Sequence, residues 1–293
     1  MADQHGLAGV RKSGVVTVVI LFLFWAVSVP AMADETPKFA RIVDDAAGAP
    51  KTLQIAIARY TGQFEGRKRT VDLVGAVHIG EPEYYAELNE RFADYDAVLY
   101  ELVAPSGTRV EPGAEPDGWL SRTQFAMTQG LDLSFQLDEI DYQAENFVHA
   151  DLSPSEFGQA MRDRGESPIV IAWRLFSFSI AESARNAMPQ NQAEMLKDVL
   201  ASSGQNGLKT MLARELTKTD QMAGIFGDDA GNSIIGARNE RAIDILASRM
   251  SSTTDDELAI FYGVAHLPDF HARMTQQLEF ELDEVIWVDG WQL

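Results

Sequence analysis

The chain has 293 residues, 46% of them hydrophobic, which suffices for a sizeable core and argues against wholesale disorder. Forty-four acidic residues against 24 basic ones give a net charge of -20, which disfavours nucleic acid and other polyanions as partners. There is no cysteine, so disulfides, thiolate catalysis and Cys-ligated metals are excluded, and any metal must be held by His, Asp or Glu.

Residues 1–33 read as an export signal. Arg11 and Lys12 precede an apolar run from Val15 to Val29, and Ala31-Met32-Ala33 forms a small-x-small cleavage site. The run is short for a membrane span, which needs about 20 residues. An uncleaved N-terminal anchor is the competing reading. No later segment reads as a span, so the expected mature protein is periplasmic or secreted, with no integral membrane insertion.

Asp34 to Pro50 is polar and reads as a loose lead-in. Thr52 to Tyr60 alternates apolar and polar residues as a strand does, Thr61 to Arg69 reads as a turn, and Thr70 to His78 reads as a second strand. The block Gly75-Ala76-Val77-His78 closes that strand. A helical pattern through Tyr84, Leu88 and Phe92 follows, and a second apolar run, Ala97 to Tyr100, delivers Glu101. From Trp119 to Met250 the pattern is mostly helical. Ser153-Pro154-Ser155-Glu156 has a capping-box spacing, and helices are expected over Pro168–Ala187, Gln192–Ala201, Leu208–Thr217 and Ile234–Met250.

The opening pattern then returns. Glu257 to Ala265 is an apolar run ending in Gly263-Val264-Ala265-His266, a helix with Phe270 and Met274 follows, and Glu284 to Asp289 reads as a strand. Asp96 and Glu284 each stand 18 residues after their histidine, and Glu101 and Asp289 each stand 23 after it. The pattern reads as two copies of one βαβ unit. The expected fold is α/β: a central mixed sheet built from two related βαβ halves (52–103 and 256–293), with a mostly helical insertion (119–250) covering one edge.

A histidine at the carboxyl end of a strand sits where ligands bind in open α/β sheets. A glycine three residues earlier lets a backbone or ligand approach closely. The plain alternative is that each histidine caps its own strand. Glu101, ending an apolar strand, is a metal ligand, a general base or the structural partner of an arginine. Arg238 and Asn239 lie on an otherwise apolar helix and are placed to reach that carboxylate or a substrate carbonyl. Asp289 is the weaker counterpart of Glu101. His149 and Asp151 are either an extension of a metal site or the lead-in to the next helix, and His271 reads as a surface residue. There is no Gly-x-Ser-x-Gly, His-Glu-x-x-His, Gly-Lys-Ser/Thr or Gly-x-Gly-x-x-Gly sequence, which leaves serine-hydrolase and nucleotide-binding readings without support.

Together the Gly75–His78 block, its Tyr-Tyr helix and Glu101 strand, the Arg238-Asn239 pair and the Gly263–His266 block resemble the TraB/PrgY/GumN family. That family includes the TIKI metalloproteases and belongs to a wider group with erythromycin esterases and ChaN-like haem-binding proteins. The resemblance spans Thr52 to Asp289, loosely through the middle. It implies a shared site of His78, Glu101 and His266 with Arg238 nearby; the expected chemistry there is a divalent cation, Mn²⁺ or similar, bound by His78 and His266, with Glu101 as third ligand or base and Arg238 as oxyanion donor. The implied activity is hydrolysis of a peptide or amide bond, with or without metal. The alternatives it implies are a haem- or ligand-binding envelope protein and a non-catalytic protein that sequesters peptides.

Overall fold

The computed structural model describes residues 37–105, 107–108, 131–164, 206–218, 235–252 and 255–293. They form a mixed α/β structure of nine strands and six helices, all within one unit, Thr36–Leu293. The proposed leader, the helices expected over Pro168–Ala187 and Gln192–Ala201, and the start of the insertion at Trp119 lie outside the described residues.

A long hairpin begins the sheet. Strands β2 (Pro50–Phe64) and β3 (Arg67–Ala76) pair antiparallel from Ile57↔Val74 to Phe64↔Arg67. Only Glu65 and Gly66 turn the chain, at φ 48° and 78°. A two-residue hairpin loop twists with its strands when both residues take positive φ, which glycine does freely. The polar Arg67-Lys68-Arg69 stretch therefore belongs to the strand, not to the broad turn expected over Thr61–Arg69. The lead-in is also ordered: β1 (Ala40–Asp44) pairs antiparallel with the first half of β2, so Asp34–Pro50 is not loose throughout.

Beyond β3 the sheet becomes parallel. Strand β8 (Glu257–Gly263) lies against β3 from Thr70↔Glu257 to Ala76↔Gly263. Next come β5 (Ala97–Tyr100), parallel to β8, and β7 (Phe147–His149), parallel to β5. On the far side β9 (Glu281–Gln292) runs antiparallel to β2 from Thr52↔Gln292 to Thr61↔Glu281. A small antiparallel pair, β4 (Ile79–Gly80) with β6 (Ser134–Phe135), lies outside the main sheet. The strand Phe147–His149 lies within the stretch whose pattern is mostly helical. Three residues carry too little periodicity to separate a strand from a helix, and pairing with β5 decides the matter.

The parallel strands are apolar because both of their faces are covered. Val71, Leu73, Leu99 and Ile260 are fully buried. Helix α1 (Pro82–Phe92) follows β3 and buries Tyr84, Tyr85, Leu88 and Phe92. Short α2 (Gln136–Glu139) follows β6, and α3 (Pro154–Asp163) starts with the expected capping box: Ser153 Oγ accepts from the Glu156 amide, and the Glu156 carboxylate accepts from the Ser153 amide. A helix over 206–216 (α4) comes next, then α5 (Gly236–Ser252), whose Ala242, Ile243, Leu246 and Met250 reach the core. A 3₁₀ turn, Val264–His266, links β8 to α6 (Leu267–Gln276). No helix among the described residues is long and apolar enough to cross a membrane.

Gly75 shows why the block before His78 needs glycine. A Cβ there would lie 2.6 Å from Ile55 Cγ2 and 3.3 Å from the Ala56 carbonyl oxygen. We expect Gly75→Ala to cost about 1–3 kcal/mol through overpacking, read as a lower urea midpoint at unchanged m value. A midpoint within error of wild type would show that this contact has slack.

Candidate active site at the carboxyl ends of the parallel strands

Strands β3, β8, β5 and β7 run parallel, so their carboxyl ends share one edge. Each delivers a polar residue there. His78 follows β3, His266 follows β8, Glu101 follows β5 directly and Asp151 follows β7. The first turn of α5 adds Arg238 and Asn239.

Glu101 is the centre of the cluster. Its Oε1 accepts from Arg238 Nη2 at 2.7 Å, and its Oε2 accepts from the Gly263 amide at 2.7 Å. A Cβ on residue 263 would stand 3.2 Å from that Oε2, so glycine here lets the carboxylate reach the backbone. Burial pushes the Glu101 carboxyl up. The imidazole of His266 in its protonated form, the Arg238 guanidinium, the protonated form of His78 and the Gly263 amide outweigh that effect and hold it well below the usual carboxylate range.

Arg238 bridges two carboxylates, half-buried Glu101 and fully buried Asp151. Besides Glu101 it grips Asp151 with Nε at 2.9 Å from Oδ1 and Nη2 at 2.5 Å from Oδ2. Burial works against its charge, and the two carboxylates more than restore it, raising its pKa above the ordinary arginine value. Asp151 also accepts the Leu152 amide at 2.7 Å. From the sequence Arg238 was expected as an oxyanion donor. Its Nε and Nη2 are instead engaged by carboxylates, which makes it the group that keeps Glu101 in place and ionised.

His266 is buried, 6% exposed, in edge contact with the Tyr262 ring. Its Nδ1 lies 2.6 Å from Asn239 Oδ1, and its Nε2 lies 3.6 Å from Glu101 Oε1. Burial lowers its pKa to about 4 against the partial support of Glu101, so the ring is neutral near pH 7. His78 is exposed. Its Nδ1 lies 3.2 Å from Gln136 Oε1, and its carbonyl accepts the Gln136 amide at 3.0 Å. Tyr84 and Tyr85 hydroxyls donate to the Gly75 and Val77 carbonyls at 2.6 and 2.8 Å, pinning the segment that leads to it.

Arg238, Glu101, His266 and Asn239 form a chain of contacts in that order, and His78 is near enough to act on the Glu101 charge. Asp289 is elsewhere, exposed on β9 and bonded to Gln54 Nε2 at 2.7 Å. His149 holds the Leu102 carbonyl with Nε2 at 2.6 Å and is a brace for the residue after Glu101. His271, expected on the surface, is buried: its ring packs near Phe39, and its Nδ1 lies 2.8 Å from the Tyr60 hydroxyl of β2. Asp151 was legible only as a metal or helix-start residue, and its partner Arg238 lies 87 positions away. Gln136 had no sequence signal at all.

The donors in this arrangement do not fit the divalent cation expected from the resemblance. A divalent cation on Glu101 Oε1 would stand beside the Arg238 guanidinium, whose Nη2 lies 2.7 Å from that oxygen. Among the described residues no group of three or more His, Asp or Glu side chains is placed to hold a metal ion.

Comparison with protein-family models, with curated proteins and with solved structures found no match to this chain.

Proposed function

We propose that this chain is an exported hydrolase of the cell envelope that cleaves a peptide or amide bond with water activated between His266 and Glu101. The observation that carries the reading is the approach of His266 Nε2, on a neutral, buried imidazole, to an oxygen of the ionised Glu101 carboxylate at 3.6 Å. A water lodged there donates one hydrogen to each. Of the two groups His266 is the stronger base, so it takes the proton as the water attacks, and Glu101 stabilises the imidazolium that forms. The proton then passes to the leaving amine. His78, exposed at the same edge, is positioned to meet the substrate. The two Gly-x-x-His segments are read as related halves; their strands β3 and β8 lie side by side, with Ala76 opposite Gly263.

The test begins with metal. Purified protein is compared with His78→Ala and His266→Ala for content of and affinity for Mn²⁺, Co²⁺ and Zn²⁺. Negligible binding in all three, with peptidase or esterase activity that drops about 10²–10⁴-fold in Glu101→Gln and His266→Gln, is the expected result. Tight binding that both alanine variants lose would replace this reading with metal-assisted hydrolysis. Full activity in His266→Gln would remove His266 as the base, and a Soret band on haem titration that is absent in His78→Ala would make the site a haem site instead.

A further inference from the structure

We infer that the chain Arg273–Asp269–Asn239 sets the tautomer of His266, putting its proton on Nδ1 and leaving Nε2 bare toward Glu101. This rests on the reading of His266 as the base, and adds three positioning residues on α5 and α6 that act through His266. Asn239 Nδ2 donates to the His266 carbonyl at 3.1 Å and to Asp269 Oδ2 at 2.8 Å. Both partners are acceptors only, a backbone carbonyl and a carboxylate. Turning the amide over would set its oxygen against both of them, so its orientation is fixed. Asn239 Oδ1 must then face His266 Nδ1, at 2.6 Å, and an oxygen acceptor at that distance requires a proton on the nitrogen.

Asp269 is itself held. Arg273 Nε donates to the same Oδ2 at 2.6 Å, and Arg273 Nη2 donates to the Gly236 carbonyl at 3.2 Å, at the first residue of α5. The arginine therefore ties α6 to the start of α5, three residues before Asn239. Asn239, Arg273 and His266 are all buried. His78 makes a useful contrast. Its Nδ1 also meets an amide oxygen, that of Gln136, but the Gln136 amide is anchored on the Tyr142 hydroxyl at 2.8 Å. A hydroxyl both donates and accepts, so nothing there prevents the amide from turning over. The orienting device belongs to His266 alone of the two.

The experiment is nitrogen NMR of full-length protein labelled at histidine, at pH 7, with the His266 signals identified by their loss in His266→Gln. We expect a single neutral tautomer at His266, with Nδ1 protonated and Nε2 bare. In Asn239→Leu the preference should disappear, giving averaged signals from the two tautomers or a proton on Nε2. Asp269→Leu, which leaves the Asn239 amide anchored by the His266 carbonyl alone, should shift His266 part of the way toward the other tautomer and serves if Asn239→Leu does not fold. A proton on Nε2 in wild type, or an unchanged Nδ1–H tautomer in the folded variants, overturns the inference. Because the readout needs no substrate, a chain that lacks hydrolase activity yet shows this tautomer pattern would separate failure of the functional reading from failure of this one.

Discussion

Arg238→Leu should lower stability at pH 7 by roughly 3–5 kcal/mol, the cost of leaving buried charge without its partner. Glu101 and Asp151 both depend on this guanidinium, and Asp151 has no exposed side-chain surface. With the cation gone, two carboxylates remain close together, and the backbone amides of Gly263 and Leu152 are left as their donors. Part of the loss should be recovered by adding Glu101→Gln and Asp151→Asn, since the neutral triple variant has no unpaired charge. Arg238→Lys should fall between, because an ammonium keeps the charge but cannot reproduce the two-pronged grip on Asp151. Urea unfolding of the four proteins under identical salt reads all of this. A loss below about 1 kcal/mol for Arg238→Leu would mean that water reaches the carboxylates and that the site is wetter than its burial indicates.

The second large effect is a pH dependence of stability that His266 should produce. In the unfolded chain its imidazole gains a proton near pH 6.5, whereas in the fold it does so at about 4. Between those values only the unfolded chain takes up the proton, so acidification favours unfolding. The stabilising contribution is complete above pH 6.5 and declines as pH falls toward 4, by on the order of 3 kcal/mol. Glu101 acts in the same direction at lower pH: its folded pKa is depressed, so its contribution is present above the ordinary carboxylate range and is lost below it. Stability measured from pH 7.5 to 4.5 should therefore fall more steeply in wild type than in His266→Gln, which has no titrating imidazole. Equal slopes would show that His266 is not held neutral.

Much of the fold was legible along the chain. The runs Val71–Val77 and Ala97–Tyr100 read as strands because nearly every residue in them is apolar. Helix α1 read as a helix because Tyr84, Leu88 and Phe92 recur at a helical period, and each is buried. The capping box at Ser153 is a local hydrogen-bond pattern, and it is present as spaced. Less legible were elements whose identity comes from a distant partner. Ala40–Asp44 is a strand because β2 offers it an edge, and Phe147–His149 because β5 does.

The candidate site divides along the same line. Sequence alone marked His78, Glu101, Arg238, Asn239 and His266, since each is a polar residue ending or interrupting an apolar segment, and that anomaly is local. It could not show how they pair. Only the tertiary structure decided that Arg238 binds Asp151 as well as Glu101, that Asp289 faces away on β9, and that Asn239 grips His266 while Asp269 and Arg273 hold Asn239. Hydrogen bonds and ion pairs act over about 3 Å in space, whereas Asp151 and Arg238 are 87 positions apart in the chain. Composition and periodicity report which face of an element is buried; the parallel order β3–β8–β5–β7 brings those residues to one edge.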